Sequence, residues 1–134
     1  MILIDDKLNE KISENIYVAL GSFDGMHKGH LLLIDKIINL ANKNNGKSMV
    51  YTFKNHPLTI INKNKAPKIL LDNKTKEEVL GNLGVDILCL KEFDEKLMKL
   101  SPEAFIENLV HEFNIKGIVV GFNYRFGYKN KGDL

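Results

Sequence analysis

Apolar residues occur along the chain in short unbroken runs, separated by stretches where they recur at helical spacing. The run IYVALGSF, Ile16–Phe23, is β-branched and apolar and is interrupted by glycine, which predicts a buried strand. From His30 to Asn42 the pattern changes: Ile34, Ile37, Ile38 and Ala41 fall on one face of a helix, and Asn45-Gly46 supplies its stop. Lys47–Phe53 (KSMVYTF) predicts a second strand. A long polar connection, NHPLTIINKNKAPK, follows, and its two prolines argue against regular structure. Thr75 with Glu78 makes a capping box for a helix through Leu83, closed by Gly84. Val85–Leu90 predicts a third strand. Ser101-Pro102 pairs an N-cap with proline at the first helical position, and Phe105, Ile106, Leu109, Val110 and Phe113 give that helix an apolar face. Lys116–Phe122 (KGIVVGF) predicts a fourth strand.

Strands this apolar are covered on both faces, and helix-length connections between them imply parallel pairing. The expected fold is α/β: a doubly wound, Rossmann-like parallel sheet with helices on both faces. In such sheets ligands sit beyond the carboxyl ends of the strands. Three segments that directly follow strands are thereby expected together: GSFDGMHKGH, TFKNHP and GFNYRFG.

Composition narrows the picture. The 134 residues suit one domain, residues 1–134, with a single core and no evident repeat or linker. A net charge of +2, with lysines scattered rather than striped, gives no indication of a nucleic-acid surface. One cysteine, Cys89, excludes an internal disulfide and a cysteine-based metal site, and its apolar neighbours mark it as a core residue. The start, MILIDDKLNEK, resembles neither a signal nor a transit peptide, and no apolar run reaches membrane-spanning length. The expectation is a cytoplasmic protein without a membrane partner.

The chemistry-bearing stretch is GSFDGMHKGH, Gly21 to His30. Gly21 and Gly25 allow backbone to approach a ligand closely. The helix that begins near Gly29 points free N–H groups and a positive dipole end at the same spot. His27 and His30 straddle the helix start, three residues apart. Imidazole donors beside free N–H groups suit a phosphate whose negative charge grows in a transition state. No serine, cysteine or lysine is placed as a nucleophile, so positioning and electrostatics are the expected means of catalysis, as in phosphoryl and nucleotidyl transfer. Two histidines alone also fit a metal, but no third ligand stands nearby, and no metal site is expected. Asn45-Gly46-Lys47-Ser48 imitates the tail of a P-loop, yet Ala41 replaces the earlier glycine and a strand follows. The glycine spacing does not match a dinucleotide fingerprint either.

GSFDGMHKGH resembles G-x-F-D-G-x-H-x-G-H, the nucleotide-binding signature of the adenylyltransferase half of bacterial bifunctional riboflavin kinase/FAD synthetases, within the wider H-x-G-H nucleotidyltransferase superfamily. TFKNHP is similar to the family's T-F-x-P-H-P, with Asn55 in the usual proline position. GVD at Gly84–Asp86, LSPEAF at Leu100–Phe105 and VVGFNYRFGYKNKGD at Val119–Asp133 follow in the family's order and spacing.

The resemblance implies a nucleotidyltransferase fold and the reaction FMN + ATP → FAD + pyrophosphate, assisted by Mg²⁺, with the nucleophile supplied by the substrate. It implies that His27 and His30 stabilise the triphosphate, with Asn123 at a polar position tied to phosphate or substrate. Gly21, Ser22, Phe23, Asp24, Gly25 and Gly29 would line the nucleotide site. His56, Pro57 and Lys68 would lie toward the flavin, and Arg125, the sole arginine, is a candidate phosphate contact. His111 is expected at the surface of its helix. The family's I-S-S-T-x-x-R segment and its riboflavin kinase domain do not occur in these residues, so a C-terminally truncated domain is expected. Two other readings stand beside this one: a different H-x-G-H adenylyl- or cytidylyltransferase, and a non-catalytic nucleotide- or flavin-binding module.

Overall fold

Five strands, every pair of them parallel, form one sheet in the computed structural model, which describes residues 1–5, 12–21, 28–53, 73–92 and 94–120. In chain order the elements are β1 (Ile2–Ile4), β2 (Ile16–Leu20), α1 (Lys28–Lys43), β3 (Lys47–Phe53), α2 (Asn73–Leu83), β4 (Ile87–Lys91), α3 (Glu95–Met98), α4 (Pro102–Glu112) and β5 (Ile115–Val120). Across the sheet the order is β1-β4-β3-β2-β5.

The strands form where β-branched and aromatic residues are buried on both sides. Ala19, Val50 and Leu88 point to one face and meet Ile34 and Ile37 of α1 and Leu80 of α2. Val18, Leu20, Met49, Tyr51, Phe53, Ile87 and Cys89 point to the other, where Phe105, Leu109 and Phe113 cover them. Side chains alternate along a strand, so two apolar layers require helices on both faces. The expected doubly wound α/β architecture is therefore the one observed. Cys89 is fully buried, as its apolar neighbours imply, and His111 is exposed.

Three local features depart from the expectation. The apolar residues Ile2–Ile4 add a fifth strand, paired with β4 as Ile2↔Ile87 through Ile4↔Cys89; at three residues it is too short for alternation to announce it. Helix α2 begins at Asn73, which puts Thr75 inside the helix rather than at its cap. Burial of Lys76 and Leu80, one turn apart, seats the first turn of α2 on the sheet and carries the helix upstream of the capping pattern. The short α3 is an addition, capped by Asp94, whose carboxylate accepts from the Leu97 N–H at 2.8 Å. Ser101 caps α4 as expected, accepting from the Ala104 N–H at 3.1 Å.

Candidate functional site

The chain reverses its direction of winding at β2. From β2 through α1 to β3, and through α2 to β4, each new strand is laid on the same side of its predecessor. After β4 the chain crosses back, through α3 and α4, to place β5 on the opposite side of β2. The crossovers on the two sides of β2 cover opposite faces, α1 on one and α4 on the other, so the carboxyl ends of β2 and β5 flank the position at which open α/β sheets hold their ligands.

The ladder fixes which residues stand there. Leu20 is level with Tyr51 of β3 on one side and with Val120 of β5 on the other. Gly21 extends the ladder by one step: its N–H donates to the Tyr51 carbonyl at 3.3 Å, and the residue is buried. The roots of the three segments singled out from sequence, at Gly21, Phe53 and Val120, consequently share one edge of the sheet. Their strands are neighbours, spaced about 4.8 Å apart.

Helix α1 starts at this edge and runs back along β2 and β3. Its amino-terminal N–H groups lack intrahelical partners and its dipole is positive there, which favours an anion. The first turn holds Lys28, Gly29 and His30, and no acidic residue opposes the dipole. His30 lies four residues before the buried Ile34 and seven before Ile37, on the stripe that faces the sheet, and it is half-buried. The packing of α1 therefore holds the His30 side chain at the sheet's carboxyl edge.

Of the residues proposed from sequence, Gly21, Gly29 and His30 are among those described. Ser22, Phe23, Asp24, Gly25, His27, His56, Pro57, Lys68, Asn123 and Arg125 lie outside the described residues. Among the described residues no group of three or more His, Cys, Asp or Glu side chains is arranged to hold a metal ion.

A second feature of the same edge was not read from the sequence. On the face covered by α4, a cleft of about 270 Å³ opens near the ends of β3 and β4. Tyr51, Phe105 and Leu109 form its floor, with Leu97 and Leu100 beside them. Tyr51 and Phe105 meet edge to face, with ring centroids 5.8 Å apart, and Phe53 meets Tyr51 likewise at 6.0 Å. The rim is polar. Lys91 donates to Glu112 at 2.9 Å, and Asn108, Asp94 and Lys96 complete it. An apolar, aromatic floor under a rim of charges suits a flat ring with polar edges. The sequence signal was present in Phe105 and Leu109, but helical spacing alone assigns such residues to the core.

Known proteins resemble this chain over nearly its full length. A family model described as FAD synthetase matches residues 9–134. The bifunctional riboflavin kinase/FMN adenylyltransferase of Buchnera aphidicola (subspecies Schizaphis graminum) is 35% identical over 126 residues, 93% of this chain and 40% of that protein. The protein of the same name from Listeria monocytogenes is 35% identical over 121 residues, 90% of this chain and 38% of the relative. That from Escherichia coli (strain K12) is 33% identical over 129 residues, 95% of this chain and 41% of the relative. The chain thus spans about two fifths of the length of the curated relatives it matches. Among solved structures, a macrolide-efflux protein from Streptococcus pneumoniae superposes with a TM-score of 0.81 at 30% identity, over 98% of this chain and 52% of that one. Among the described residues of this chain no helix is long and apolar enough to cross a membrane.

Proposed function

The chain belongs to the FAD synthetase family, and from that membership we propose that residues 1–134 form an FMN adenylyltransferase domain that carries AMP from ATP to FMN. The observation that carries the reading is the strand-order reversal at β2, with the amino terminus of α1 and His30 at the same edge.

In the reaction an oxygen of the FMN phosphate bonds to the α-phosphorus of ATP. The bond from that phosphorus to the bridging oxygen breaks, and pyrophosphate leaves with the electron pair. No protein nucleophile is needed, so the protein's task is to orient two anions and to offset their charge. The start of α1 and His30 receive the triphosphate, with His27 and the backbone of Gly21, Ser22, Phe23, Asp24, Gly25 and Gly29 completing the nucleotide side. Asn123 and Arg125, which follow β5 in the sequence, are assigned to the phosphates. The flavin ring takes the cleft over Tyr51, Phe105 and Leu109, and His56, Pro57 and Lys68 serve the flavin side. Magnesium would enter this scheme with the nucleotide and would neutralise phosphate charge; among the described residues no group of three or more His, Cys, Asp or Glu would hold it. The riboflavin kinase activity in the relatives' names is not proposed for these residues.

The test is to incubate the protein with ATP, Mg²⁺ and FMN and to follow FAD by chromatography and pyrophosphate by release. Accumulation of FAD, reduced by about 10²–10³-fold in His30→Ala, supports the reading. Turnover only with another phosphorylated acceptor or with CTP selects a different nucleotidyltransferase. Failure to bind either ATP or FMN overturns both.

A further inference from the structure

Among the described residues Lys76 is the one charged side chain that is fully buried, at 1% exposure. Helix α2 runs back against the strands. From Leu83, seven residues of helix raise Lys76 by about 10 Å, and three residues of strand, from Ile87 to Leu90, climb about as far. Lys76 therefore stands about level with Leu90, near the carboxyl end of β4.

Leu90 is the ladder partner of Thr52, itself fully buried. Thr52 follows Val50 by two residues and so belongs to the face that α1 and α2 cover. On its other side stands Gly21, bonded to the Tyr51 carbonyl. His30 tops the inward stripe of α1 in the same layer. A lysine, a threonine and a histidine thus stand about level in one otherwise apolar layer, near the carboxyl edge where β2 ends. Neither Lys76 nor Thr52 is without a partner.

An apolar residue would fill the place of Lys76 at lower electrostatic cost. What lysine adds is a positive charge behind apolar packing, which salt and water screen far less than a surface charge. We propose that Lys76 is a positioning residue of the triphosphate site, holding a positive charge at the carboxyl-end level of the layer that α1 and α2 cover and acting on the nucleotide through its field. The inference rests on the adenylyl-transfer reading above.

Binding is measured for ATP, ADP, AMP and adenosine with wild type, Lys76→Met and Lys76→Arg. The expected loss in Lys76→Met grows with ligand charge: about tenfold or more for ATP, within about twofold for adenosine, and within about threefold for ATP in Lys76→Arg. A merely structural lysine would weaken all four ligands by a common factor, or none of them, and either result overturns the inference. If Lys76→Met does not fold, the ¹⁵N signal of the wild-type Lys76 amino group decides, assigned by its absence from Lys76→Arg. A shift on saturation with inorganic tripolyphosphate but not with adenosine supports the inference, and an unmoved signal overturns it. If wild type itself binds no ATP, the adenylyl-transfer reading falls, and this inference with it.

Discussion

Tyr17 shows how far a single position on β2 constrains its surroundings. A Cβ added at Gly46 would meet the Asn15 carbonyl oxygen at 2.7 Å and the Tyr17 ring at 2.9 Å. One added at Gly117 would meet only the same ring, at 2.8 Å. The first obstacle includes backbone that is itself tied into the sheet, since the Lys47 N–H donates to that same Asn15 oxygen at 2.8 Å. The second is a partly exposed side chain that can tilt. Gly46→Ala is therefore expected to lower unfolding free energy by about 1–3 kcal/mol, and Gly117→Ala by less, as read from urea midpoints. Gly84 is a different case. An added Cβ would meet only the end of the Ile38 side chain, at an ordinary contact distance of 4.0 Å, but the glycine's φ of 97° is a conformation that side chains disfavour, so Gly84→Ala is expected to cost about 1 kcal/mol with little change in packing. Asp86 adds a polar clasp between β3 and the approach to β4: its Oδ2 accepts from the Ser48 N–H at 2.9 Å and the Ser48 hydroxyl at 3.2 Å, while its own N–H donates to Ser48 Oγ at 3.0 Å. Asp86→Ala leaves the partly buried Ser48 N–H without its acceptor. A loss of about 1–3 kcal/mol is expected in the same assay.

Helix α4 joins stability to the proposed flavin side. Its cap, Ser101, holds the first turn, from which the Phe105 N–H donates to the Ser101 carbonyl at 2.9 Å. Ser101→Ala is expected to cost about 1 kcal/mol. Because Phe105 floors the cleft, the same change is expected to raise the KM for FMN more than that for ATP. A bulkier probe separates the two substrates without touching the core: Asn108 is exposed at the rim, and Asn108→Trp is expected to raise the KM for FMN while leaving that for ATP within about twofold. Steady-state kinetics with each substrate varied in turn checks both. Equal effects on the two substrates would place the flavin elsewhere.

Elements were legible where period and punctuation agreed. Lys47–Phe53 begins and ends where its apolar run does, and α4 starts at its Ser-Pro signal. They were not legible where tertiary contacts decide. Three apolar residues become β1 only because β4 offers a free edge, and burial of Lys76 moves the start of α2 ahead of its capping pattern.

At the scale of the molecule, the parallel sheet and its two covered faces follow from strands without a polar side, and the sequence carried that openly. The phosphate-binding role proposed for the segment between β2 and α1 rests on signals of the same local kind: glycines, a helix start and histidines. The cleft over Tyr51 and the position of Lys76 are not local. Each arises from elements distant in sequence, brought level by strand register that no single segment encodes.

The reversal at β2 also sets a schedule for synthesis. β2 is made well before its neighbour β5, which lies about a hundred residues later, and the side-chain bond from Asn114 to Asn15 spans 99 positions. At roughly 5–20 residues per second, the first half of the crevice waits about 5–20 s on the ribosome for the second. Nascent chains halted before β5 has emerged are expected to remain open to protease around β2. Chains released after it are expected to be protected, and protection before β5 emerges would show that β1 to β4 close without it. In the cell, the interval in which a chaperone can hold this apolar edge is thus written into the strand order.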